Sequence, residues 1–334
     1  KGCPSRFSPG LGGAAMSSSE EDVTAVAGDA DNDATSPPAG SWSSHRWPLL
    51  GLAGCFVVAQ LLAMALVPSF DAAEMQAFED PEDPVNSGIY FVLILAFTAF
   101  VLWLARRGLQ NLLQLIFMSA IGMTFVYVGY PLFLALGFTP AGAWLGGAAI
   151  AVQLTFLLLT FPEWYVINIC GVLISAGAAA IFGISFGLLP ALLLLVGLAL
   201  YDAWAVYSTG HMVDLADTVM ELKLPILLVM PKQRGYSFLK QRSLQAQIET
   251  GEEREAMFMG LGDIVIPGVL SVSAKASLGW GVGLGTMFGG LAGFAILMHF
   301  VLGGRPQAGL PLLNGGAILG WAVTAILLTS SLGL

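Results

Sequence analysis

Of the 334 residues, 56% are hydrophobic and only 10% are charged, which excludes an ordinary soluble domain, where about 25% are charged. The apolar residues fall in long blocks, the pattern of a chain that crosses a bilayer repeatedly. The net charge of −9 lies mostly outside those blocks and argues against nucleic acid as a partner.

In chain order, residues 1–15 precede the first methionine, Met16, and are set apart as upstream sequence. They lack the apolar core of a cleavable signal peptide. Ser17 to Ser44 is rich in Ser, Ala, Asp and Glu without apolar period, so 1–46 is expected to be a disordered acidic tail. About 20 apolar residues cross a bilayer as a helix. On that measure spans are expected near 47–67, 88–105, 111–136, 141–161, 165–187 and 188–208, then 256–273, 279–302 and 310–331. Gly187 and Pro190 divide the fifth from the sixth, and Pro131 is expected to kink or shorten the third. The expectation is an all-α membrane protein, a bundle of nine transmembrane helices. Its first six spans fill 47–208, a polar loop fills 209–255, and three spans fill 256–331.

Basic residues stay on the cytoplasmic side. An inside N-terminus puts Arg46, Arg106, Arg107, Arg305 and the bases of the 209–255 loop in the cytoplasm, and only Lys275 outside. The first loop, with Asp71, Glu74, Glu79, Asp80, Glu82 and Asp83 and no base, falls outside. Within the long loop, Pro225-Ile226-Leu227-Leu228-Val229-Met230-Pro231 is apolar and bounded by prolines. It reads equally as a short strand or as an interfacial patch.

Charged groups at bilayer depth cost several kcal/mol and mark function by default. Asp202 and Asp263 are the two acids well inside the expected spans. Asp202 lies about six residues before the sixth span ends, roughly 9 Å below the cytoplasmic face by helix rise. Asp263 lies about seven residues into the seventh, roughly 10 Å deep from the same face. Gly260 and Gly262 flank Asp263 and allow close approach of a helix or a substrate backbone. Two carboxylates at one level within a few ångströms would share a proton, so one can activate water while the other donates to a carbonyl. Depth and pairing alone serve a peptide-cleaving dyad and a proton or cation relay in a transporter equally well.

The motifs separate these. Tyr201-Asp202 in one span and Gly260-Leu261-Gly262-Asp263 in the next resemble the YD and GxGD signatures of the presenilin and signal peptide peptidase family. Gly260 to Gly268 looks particularly like the signal peptide peptidases, and Pro225 to Pro231 is similar to the apolar segment before GxGD in these enzymes. The third signature, PAL, has its counterpart in Pro311-Leu312-Leu313, with leucine in place of alanine. The resemblance covers about 47–331. It implies an intramembrane aspartic endopeptidase, similar to archaeal relatives, that cuts transmembrane helices or remnant signal peptides. Asp202 and Asp263 would be the catalytic pair, with Tyr201 supporting Asp202 by hydrogen bonding or packing. Gly260, Leu261, Gly262 and Pro311 to Leu313 would shape the cleft. Pro311 would give it an irregular backbone, and Leu312 would narrow it. An extended substrate would pair with Ile226, Leu227, Leu228, Val229 and Met230 as an added strand.

No cofactor or metal is expected. Cys3, Cys55 and Cys170 and the histidines His45, His211 and His299 lack zinc or disulfide spacing, and HExxH and GxSG motifs are missing. The expected partners are transmembrane peptide substrates and the lipid bilayer of a prokaryotic plasma membrane. Homo-oligomerisation is left open. Gly281, Gly285, Gly289 and Gly293 form a smooth face read as a seam inside the bundle or between two copies. A non-catalytic membrane scaffold is the remaining class.

Overall fold

A computed structural model describes residues 42–209, 227–232, 236–237, 256–302 and 307–334. The expected tail lies outside these as far as residue 41, as does most of the 209–255 loop, including Ile226. Among the described residues there are nine α-helices: α1 Trp42–Ala72, α2 Val85–Arg106, α3 Gln110–Ala135, α4 Pro140–Thr160, α5 Trp164–Ser185, α6 Leu188–Trp204, α7 Gly262–Leu278, α8 Trp280–Leu302 and α9 Gly309–Thr329. Eight are long and apolar enough to cross a membrane. The ninth, α7, has 17 residues, at the short end of a spanning helix. Many large apolar side chains stay exposed on the outer faces, such as Leu145, Val152 and Leu327, which suits a hydrocarbon solvent. The chain forms an all-α membrane bundle.

Two expectations from the prolines and apolar runs need correction. α3 continues through Pro131 to Ala135, so the proline does not shorten it. A carbonyl freed inside a transmembrane helix can be accommodated by its neighbours. The seventh span does not begin at 256, because Ala256–Gly260 is a strand and the helix starts at Gly262.

That strand, β2, pairs antiparallel with β1, Leu227–Pro231. Leu228 sits opposite Met259, Val229 opposite Phe258 and Met230 opposite Met257. Alternation sends Leu228 and Met259 to one side, among α1, α5 and α7 residues such as Phe56, Ala176 and Ile264. Val229, Ala256 and Phe258 go to the other, among Ile121, Phe125, Ala151 and Ile167 of α3, α4 and α5. The hairpin is therefore wedged among the helices, with protein packed on both of its faces.

Small residues let α5 run through the centre. A Cβ on Gly177 would overlap Val128 of α3, and one on Gly183 would overlap Val272 of α7. A further apolar cluster joins α6, α7 and α9 through Leu195, Leu198, Leu270, Ala317 and Trp321. The glycine face of α8 packs on α9 within the bundle. A Cβ at Gly289 would overlap the Gly316 carbonyl and stand 2.7 Å from Gly320 Cα, and Gly293 faces the Leu312 backbone in the same way.

Candidate active site

Asp202 lies in the last turn of α6, which widens into one π-helical turn, Ala205–Thr209. Such turns interrupt α-helices frequently at functional sites. Asp263 is the second residue of α7, directly after β2. Its depth is thus set by the hairpin and not by seven residues of helix, which corrects the 10 Å obtained from helix rise. The acids meet even so, because a third element reaches both.

That element is the N-terminus of α9. The first N–H groups of a helix have no partner within it. Leu310 N–H donates to Asp202 Oδ2 at 3.0 Å, and Gly309 N–H bonds the same carboxylate. A Cβ on Gly309 would stand 3.5 Å from Asp263 Oδ1, so this residue lies beside both acids. Pro311, the next residue, has no N–H to leave unsatisfied. Asp263 in turn accepts from Gly260 N–H, the end of β2. The carboxylates are near enough to interact electrostatically. Asp202 is buried and Asp263 half-buried.

The remaining motif residues divide. Tyr201 packs edge-on against Phe91 at 6.4 Å and lies beside Trp204. Gly262 is exposed, with nothing within 4 Å of a Cβ, so it leaves open space beside Asp263. Leu261 is buried against Gly171 of α5. Pro311 falls in the first turn of a regular helix, not in irregular backbone; proline is tolerated there because no intrahelical donor is lost. Leu312 lines an outer groove between α8 and α9 of about 480 Å³ with Gly293 and Gly316, while Leu313 is buried in the core. The extra bulk at Leu312 therefore faces that groove. Asn314, fully buried one turn on, donates from Nδ2 to the Leu195 carbonyl of α6 at 2.9 Å, tying the α9 N-terminus to the helix that carries Asp202.

β1 does not offer the edge expected of it. One side is paired with β2, and on the other Asn168 of α5 binds Val229. Val229 N–H donates to Asn168 Oδ1 at 2.8 Å, and Asn168 Nδ2 donates to Val229 O at 2.7 Å. Since both Val229 groups point away from β2, Val229 and Phe258 form a non-hydrogen-bonded pair. Phe258 N–H and C=O then point out from the far edge of β2, the edge that leads to Gly260 and Asp263, and the sheet has no third strand among the described residues.

The model of the family "signal-peptide peptidase, presenilin aspartyl protease" matches residues 53–330. The chain belongs to that family. Two solved structures of a presenilin family intramembrane aspartate protease, in C222 and P2 space groups, are 40% and 42% identical to it. Each aligns with a TM-score of 0.63, over 84% of this chain and 99% and 98% of theirs respectively. No curated protein matches the chain significantly. The protein is an intramembrane aspartic protease, a hydrolase of the presenilin and signal peptide peptidase type.

Proposed function

We propose that Asp202 and Asp263 are the catalytic pair of this protease. The observation that carries the reading is their convergence on the N-terminus of α9, where Leu310 N–H holds Asp202 and Gly309 stands 3.5 Å from Asp263 Oδ1, measured from its Cβ position. The pair holds one proton between its two members. The ionised carboxylate takes a proton from water as the water oxygen attacks the scissile carbonyl carbon, and the protonated one donates to the carbonyl oxygen. A proton then passes to the amide nitrogen as the C–N bond breaks.

A helical substrate hides its peptide bonds in its own hydrogen bonds, so the segment to be cut must first become extended. The edge that receives it is the outer one of β2, through Phe258 N–H and C=O, and the added strand runs past Gly260 to the dyad. The substrates are single-span helices, including remnant signal peptides. Charge asymmetry supports a cytoplasmic N-terminus and 209–255 loop and an outside C-terminus, in a prokaryotic plasma membrane.

The test is reconstitution with a labelled transmembrane peptide. Asp202→Ala and Asp263→Ala should each abolish cutting while the helical circular dichroism is unchanged. Full cutting by either variant would refute the assignment, and ion flux without peptide cleavage would favour a transporter.

A further inference from the structure

Asn168 is a polar residue in an apolar span, 6% exposed, and its side-chain amide bonds to β1 rather than to either aspartate. Its side chain makes with Val229 the two hydrogen bonds that a residue of a neighbouring strand would make, at 2.8 and 2.7 Å. One helical turn on, Gly171 presents a flat surface on the same face of α5; a Cβ there would stand 2.8 Å from Leu228 Cδ2 and 3.0 Å from Leu261 Cδ2. α5 thus offers β1 an amide to pair with and a bed for its side chains.

This arrangement answers a physical difficulty. A lone two-stranded hairpin is marginal in stability, and closing this one brings together strands separated by residues 232–255, which adds loop-closure entropy. Val229, 1% exposed, would leave an unpaired N–H and C=O in a dry interior if nothing met it.

Resting on the strand-addition reading above, we infer that Asn168 is a positioning residue that keeps the β1–β2 hairpin folded before substrate arrives. It also closes the β1 edge, so that an extended substrate is taken at β2, beside Asp263, and nowhere else on the sheet. Asn168 acts on the reaction through the hairpin.

Hydrogen–deuterium exchange on the full-length protein without substrate tests the folded hairpin directly. In the wild type, amides of 227–231 and 256–260 should be protected. Asn168→Leu should lower that protection roughly tenfold, the order expected for losing two neutral hydrogen bonds, and leave the central helices unchanged. Cleavage of a labelled transmembrane peptide should then show KM raised by the factor by which the folded-hairpin fraction read from the exchange falls, with kcat within about threefold. Asn168→Ala, which cannot overpack, should show the same pattern and serves if the leucine variant does not fold.

An unprotected wild-type hairpin would overturn the inference, as would unchanged exchange in both variants or a loss in kcat alone. Because exchange is read without substrate, it separates this inference from strand addition. A hairpin that loosens in the variants without KM following its folded fraction would keep the positioning of β1 and refute the docking edge.

Discussion

The seam between α8 and α9 and the junction of β2, α6, α7 and α9 are both places where backbones come close, yet they are built by opposite means. In the seam, glycines on both helices remove side chains so that Gly289 meets Gly316 and Gly320, and each helix satisfies its own backbone. At the junction, backbone groups that no helix satisfies are put to use: the Leu310 and Gly309 N–H groups hold Asp202, and Gly260 N–H holds Asp263. In hydrocarbon an orphan N–H is costly, so such groups are tolerated only where protein supplies a partner. The lesson is that helix ends and a strand edge can lie inside a membrane bundle where their free N–H groups hold polar side chains.

Four substitutions break or sharpen this contrast. The largest effect is expected from Leu310→Pro, which removes the N–H that binds Asp202 at a first-turn position where the helix itself loses no bond. Turnover should fall roughly 10- to 100-fold, the value of a hydrogen bond to a charged group, with the thermal midpoint little changed. Gly289→Ala should do the reverse. The added methyl meets the Gly316 carbonyl, so stability should drop by about 1–3 kcal/mol in a denaturation series, while the molecules still folded cut peptide normally.

Asn314→Leu lies between the two regions. It removes the 2.9 Å bond to Leu195 O, and with it an Oδ1 that is buried without a partner. The stability change should stay within about 1 kcal/mol, and kcat should fall a few-fold as the α9 N-terminus loosens against α6. The smallest effect is expected from Leu312→Ala, which restores the alanine of the PAL signature. Because Leu312 faces the outer groove, kcat/KM for a transmembrane peptide should change by less than about threefold.

What could be read beforehand follows the same division. Asp202 and Asp263 stood out because a charge in an apolar run is expensive, and the glycine repeat of α8 because small residues recur at helical period. The strand at Ala256-Met-Phe-Met-Gly260 did not, since a short apolar run fits a buried helix as well as a strand; it was placed inside the seventh span. Pro225 to Pro231 was legible from its bounding prolines and short apolar run as a strand or an interfacial patch alike, but the partner of β1 was not. Gly309 and Leu310 were missed because what they contribute is a main-chain N–H, which leaves no trace in residue type. Asn168 was missed because a single amide in an apolar span has many readings until Val229 is seen against it.

The central claim is that the two aspartates act as one unit at the α9 N-terminus, and a double-substitution cycle measures it. Single-turnover cleavage of a labelled transmembrane peptide would be recorded for Asp202→Asn, Asp263→Asn and the pair together. Each single variant should lose roughly 10⁴-fold or more, and the double should be no slower than either, because removing one member already disables the whole. A single variant that still cuts at near wild-type rate, or losses that multiply in the double, would contradict the account.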